Sequence, residues 1–260
     1  MKALYLSAIA VLFFIINGYC FLNVSPSVTE KTAKPGKTLT VEFAVANQEE
    51  ATMFVETLVD LAWWKQTTGS NELSEKAVKV YPQKPFLLKN GESKKVIVDI
   101  KIPINATGEL ATMIYFVASP QGQSGEMLNI KTRNGVPIYI FTGTSSKTNF
   151  ELSSFYVNVS SANGVRSLSC FLSIKNNGPS HFRPKGEVKI SCPSGEFVGK
   201  MDYGFPVFPN RSEKFRVSFE NKDWPAGTYK CTANINVNSP FLYNLDDEVI
   251  VGVNKEIEVK

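Results

Sequence analysis

Alternation of apolar and polar residues at a period of two is the feature that most limits what this chain can become. In "TLTVEFAVAN" Leu39, Val41, Phe43 and Val45 fall on one side; in "KKVIVDIKIP" Val96, Val98, Ile100 and Ile102 do; in "LSCFLSIKN" Leu168, Cys170, Leu172 and Ile174 do. Such a period over so many residues means strands with one face buried and one solvated, the mark of antiparallel sheets. Turn signals separate the runs: Pro35-Gly36, Asn90-Gly91, Asn105 to Gly108, Asn177-Gly178-Pro179, Pro193 to Gly195 and Pro225 to Gly227. Short strands at this spacing predict an all-β chain of immunoglobulin-like sandwiches. The only weak helical stretch is Ser70 to Lys79.

At 260 residues the chain is longer than one sandwich needs. The polar, small-residue segment "TGTSSKTN", Thr142 to Asn149, divides two strand arrays of about seven candidates each, giving an expected first domain over 21–144 and a second over 145–260. Residues 1–20 read as a signal peptide. Lys2 precedes an apolar run from Ala3 to Ile16, and small residues at Gly18 and Cys20 mark cleavage after Cys20. The apolar run is shorter than the roughly 20 residues a membrane span needs. Removing Lys2 from the 28 basic residues leaves 27 against 24 acidic, a net charge of +3. That balance implies neither nucleic acid nor an anionic surface as a partner.

Catalytic and metal-binding patterns do not emerge. The single histidine, His181, sits in the turn "NNGPSHFRPKG" and reads as a solvated loop residue. The acidic loop "LDDE", Leu245 to Glu248, reads as a solvated turn, and no phosphate-cradling glycine loop is present. A non-enzymatic chain without metal or cofactor is the expectation. Beyond the signal, Cys170, Cys192 and Cys231 all fall on the inward parity of their strands. One disulfide among them suits an exported protein, either Cys192 with Cys231 between adjacent strands or Cys170 with Cys231 between sheets. Trp63 and Trp64 in "LAWWKQTTG", read as strand, point to opposite faces, so one of them offers a surface contact to a partner or glycan.

Five segments in order carry a resemblance: "NVSPSV", "KPGKTLTVEFAVANQEE", "FLLKNGESKKVIVDI", "GELATMIYFVASP" and "MLNIKTRNGVPIYIF". Together they resemble the N-terminal domain of the periplasmic pilus-assembly chaperone (PapD-like) family. The second half resembles the immunoglobulin-like domains that follow such domains in envelope proteins. The resemblance implies a periplasmic, or secreted and surface-bound, protein whose seventh strand in the first domain lies at a sheet edge. That edge would meet protein subunits of a pilus or other surface structure by strand addition. Leu128 and Ile130, with Thr132, would be the residues lent to the partner. The family's cleft cations, an Arg in the first strand and a Lys in the seventh, have no counterpart at matching positions; Lys131 and Arg133 stand nearest and would substitute. The alternative of a different class is a structural or adhesive envelope module that presents its loops and the Trp63/Trp64 region.

Overall fold

The alternation becomes strands that pack in pairs of sheets. The computed structural model describes residues 22–69, 73–121, 131–143, 149–162, 165–192, 195–202, 204–221, 227–238 and 250–259. The first half contains β1 (Asn23–Ser25), β2 (Thr29–Thr32), β3 (Thr38–Ala46), β4 (Met53–Asp60), the helix α1 (Ala62–Thr68), β5 (Val78–Tyr81), β6 (Phe86–Leu88), β7 (Ser93–Lys101), β8 (Glu109–Pro120) and β9 (Thr132–Phe141). The second half contains β10 (Phe150–Ala162), β11 (Val165–Asn176), β12 (Arg183–Cys192), β13 (Gly195–Asp202), β14 (Ser212–Asn221), β15 (Gly227–Asn238) and β16 (Ile250–Val259).

In the first half, a sheet ordered β1-β3-β7-β5 faces one ordered β2-β9-β8-β4-β6. In the second, β10-β11-β14 faces β13-β12-β15-β16. Every pairing is antiparallel except β2 with β9. Each pair of sheets closes over its own core. One is built on Val41, Phe43, Val45, Val96, Val98 and Ile100, the other on Leu168, Cys170, Leu172, Ile174, Val188 and Ile190. The all-β class of two immunoglobulin-like sandwiches is thus realised, and the inward residues are those the period of two selected. The expected division at residues 144 and 145 and the signal segment 1–20 lie outside the described residues.

Both sandwiches use the same device, at the end of β3 and at the end of β11. Buried Asn47 donates from Nδ2 to the carbonyls of Ala51 and Leu88, while its Oδ1 accepts from the Glu49 N–H. Buried Asn176 does the same with Ser180, Val207 and Gly178. An asparagine fits here because one short side chain offers two donors and an acceptor to backbone groups that the turn leaves without strand partners.

The structure corrects the helix expectation. "AWWKQTT" is helical, and Ser70 to Lys79 contributes only a single 3-10 turn over Glu75–Ala77. The punctuation is local. Asp60 Oδ1 accepts from the Trp63 N–H at 3.0 Å, and Gly69, at φ 90°, closes the other end by donating its N–H to Lys65. An acceptor before the first turn and a left-handed glycine after the last are ordinary helix boundaries.

Candidate functional site

β9 is paired unequally along its length. It runs antiparallel to β8 from Thr132 opposite Ala118 to Phe141 opposite Glu109. On its other side β2 covers only Ile138 to Phe141. From Thr132 to Pro137 that second side carries no strand among the described residues. The inner face along this stretch passes from the half-buried Thr132 and Asn134 to the buried Val136. Asn134 Nδ2 donates to the Leu22 carbonyl at 2.8 Å, holding the start of the described chain near the mouth of the sandwich.

Of the edge residues singled out in the sequence, Leu128 and Ile130 lie outside the described residues. Lys131 and Arg133 are exposed, and the Arg133 guanidinium stacks on the Tyr115 ring, 3.4 Å from its centroid. Arg133 therefore stands eight residues from the Phe141 end of the strand, about 27 Å along it at the usual rise, and does not supply a cation to the junction between the sandwiches. The cations that reach the junction come from the second half.

At that junction β8 and β9 change character. Glu109 to Thr112 and Tyr139 to Phe141 are buried on both faces. α1 and the second sandwich cover what would be the outer face. Trp64, 2% exposed, and half-buried Trp63 pack with Tyr139 and Phe208, with ring centroids 5.6 to 6.2 Å apart for the four tryptophan pairs. The surface contact expected of Trp63 and Trp64 is corrected accordingly. Helical spacing puts neighbouring indoles about 100° apart, not on opposite faces, so both reach one inter-sandwich cluster. Arg211, from the turn before β14, donates to the Thr67 and Gln66 carbonyls at the helix C-terminus, at 2.7 and 3.1 Å. A cation there meets the negative end of the helix dipole.

Beside this cluster lies a buried ionic group. His181, read in the sequence as a solvated loop residue, has no exposed surface. Its Nδ1 is 2.5 Å from Glu109 Oε1, its Nε2 3.1 Å from Glu30 Oε1, and its backbone N–H donates to Glu109 Oε2 at 2.7 Å. Arg183 donates to Glu30 as well, and the imidazole packs at a tilt against the Tyr139 ring, with centroids 4.2 Å apart. Burial pulls the His181 pKa down, but the two carboxylates outweigh it and hold it above its ordinary value. Burial alone would raise Glu30, yet His181 and Arg183 keep it below the usual carboxylate value. Burial pushes the Tyr139 hydroxyl up. Because each ring nitrogen already meets a carboxylate, the cluster is a closed ion-pair network, and among the described residues no group of His, Cys, Asp and Glu is placed to hold a metal.

The cysteines also depart from the first pairing considered. Cys231 stands opposite Ile190 on β12, two residues from Cys192. On adjacent strands that diagonal separates Cα atoms by roughly 8 Å, beyond the reach of a disulfide. Cys170 and Cys231 instead are both buried and present as free thiols, on strands of the two facing sheets. The neighbouring Cys231 and burial raise the Cys170 pKa.

No family model and no curated protein matches the chain. Among solved structures the chain is similar to the YadV chaperone, at 10% identity over 91% of this chain and 100% of that one, with a TM-score of 0.47. It is also similar to the Escherichia coli chaperone DraB, at 14% identity over 92% and 97%, TM-score 0.42. The Pseudomonas aeruginosa CupB2 chaperone gives 10% identity over 90% and 98%, TM-score 0.44.

Proposed function

We propose that this chain is an exported, non-catalytic, chaperone-like protein that holds subunits of a surface structure or pilus by strand addition at the open side of β9. The observation that carries the reading is the half-covered strand: sealed on both sides over Ile138 to Phe141 and, among the described residues, paired on one side only over Thr132 to Pro137. A lone strand edge offers unpaired backbone donors and acceptors, the recognition unit of strand addition. Leu128 and Ile130 share the parity of the inner face of β9 and are the apolar residues lent to the partner. Residues 1–20 are the export signal, 21–144 the binding domain and 145–260 the second domain, in the periplasm.

The packed junction supports the same reading, because a partner held along one edge is served by a second domain docked beside it. The adhesive alternative leaned on exposed tryptophans, and both indoles turn inward. The test is capture from an envelope extract by the full chain, with the bound protein identified by mass spectrometry. Replacing Leu128 and Ile130 by Asp abolishes capture without unfolding the chain; a double variant that still captures the same protein refutes the lending role.

A further inference from the structure

The register of β9 states which backbone groups are on offer. The Thr142 N–H donates to Gly108 O at 2.9 Å, so this pair is hydrogen-bonded toward β8. Alternation then turns Ile140, Ile138, Val136, Asn134 and Thr132 toward β8 as well. Odd-numbered residues face the other way, as Phe141 does when its carbonyl accepts from the Ala33 N–H. The lane left open among the described residues therefore presents N–H and C=O of Arg133 and Gly135, and the C=O of Pro137, which has no N–H to give. A guest strand ends its pairing at Pro137, where β2 takes over.

The outer side of the lane is charged and pre-set. Arg133 lies on the Tyr115 ring, and that ring lies on the backbone of Gly135, where a Cβ would come within 2.7 Å of Tyr115 Cε1. A guest residue opposite Arg133 would share its face, with Cβ atoms about 5 Å apart, and Lys131 is the diagonal neighbour. Both arginines that reach the junction are otherwise occupied, Arg183 by Glu30 and the Gly204 carbonyl, Arg211 by the Gln66 and Thr67 carbonyls.

On the reading that β9 receives a strand, we infer that the guest is an internal extended segment with an acidic residue on its outer face beside Arg133. Its charge is read at Arg133 and Lys131, and its chain end is not read at the junction. Apolar residues on the alternate positions face inward toward Val136. Specificity arises because a lysine in place of the acid meets two cations on a face that Tyr115 keeps in place.

Fluorescence anisotropy with the full chain tests this, using labelled ten-residue peptides that alternate valine with polar residues and carry either two glutamates or two lysines at the polar positions. The glutamate peptide binds about tenfold more tightly than the lysine peptide, and the gap narrows as salt is raised. Arg133→Gln reduces the preference and Arg133→Glu reverses it; both changes are at an exposed side chain and leave the core intact. Free and amidated peptide C-termini bind within twofold of each other. Equal binding of the two peptides, or loss on amidation, overturns the inference and leaves strand addition standing. If neither peptide binds, or a version with prolines at alternate positions binds as well as the parent, strand addition at this edge falls and the inference with it.

Discussion

Replacing His181 should loosen the junction and remove the alkaline arm of the stability profile. In the fold its imidazole lies between Glu109 and Glu30, both ring nitrogens engaged. A group whose pKa is raised on folding stabilises fully below its unfolded value and loses that contribution as pH climbs through its folded value. For His181 the stabilisation is complete below about 6.5 and declines above it. Glu30 has the opposite sign: its pKa is lowered, so its contribution is present above about 4.5 and lost on acidification. The cluster therefore supports the fold best between these two values. His181→Ala takes one member from a buried pair and leaves Glu109 with the backbone N–H at position 181, a change of about 3–5 kcal/mol. His181→Gln retains a donor but cannot titrate. Urea unfolding followed by tryptophan fluorescence, to which Trp63 and Trp64 at the junction contribute two of the three tryptophans, would be run at about pH 5.5 and about pH 8.5, either side of the ordinary histidine value. The wild type should lose stability between the two and His181→Gln should lose less. Equal losses in both proteins, or a His181→Ala protein within about 1 kcal/mol of the wild type at the lower pH, would refute the reasoning.

Other consequences are equally direct. Trp64→Ala empties a nearly fully buried indole site and should cost about 3–5 kcal/mol by chemical denaturation. Gly186→Ala puts a Cβ against the Asn234 carbonyl between adjacent strands, so the thermal midpoint should fall by the equivalent of about 1–3 kcal/mol; an unchanged midpoint would mean the strands separate easily there. In hydrogen exchange resolved to single amides, Arg133 and Gly135 should exchange quickly and Asn134 and Val136 slowly, as the one-sided ladder requires. A thiol reagent should label Cys170 and Cys231 only after unfolding, since both are fully buried; labelling of either in the native protein, mapped by mass spectrometry, would contradict the packing.

The inner faces of β3, β7 and β11 were legible because side-chain direction in a strand repeats every two residues and burial selects one parity. The helix over Ala62–Thr68 was not read from the sequence, where the stretch looks like a strand, although Asp60 and Gly69 stand at its two ends. The half-open edge could be approached only through Pro137 and the polar residues before it, since nothing in β9 itself records that β2 reaches as far as Ile138 and no farther. The tyrosine beneath Arg133 was invisible for the same reason, being contributed by the neighbouring strand.

Local alternation and turn chemistry determined that this chain forms two all-β sandwiches, because they depend on residues one or two positions apart. The docking of those sandwiches decided the rest. His181 meets partners 72 and 151 residues away in the chain, and the tryptophans meet Phe208 from the other half. Burial of a histidine or an indole at such a place is set by which surfaces come together in three dimensions, and a turn sequence that looks solvated carries no mark of the carboxylates that will enclose it.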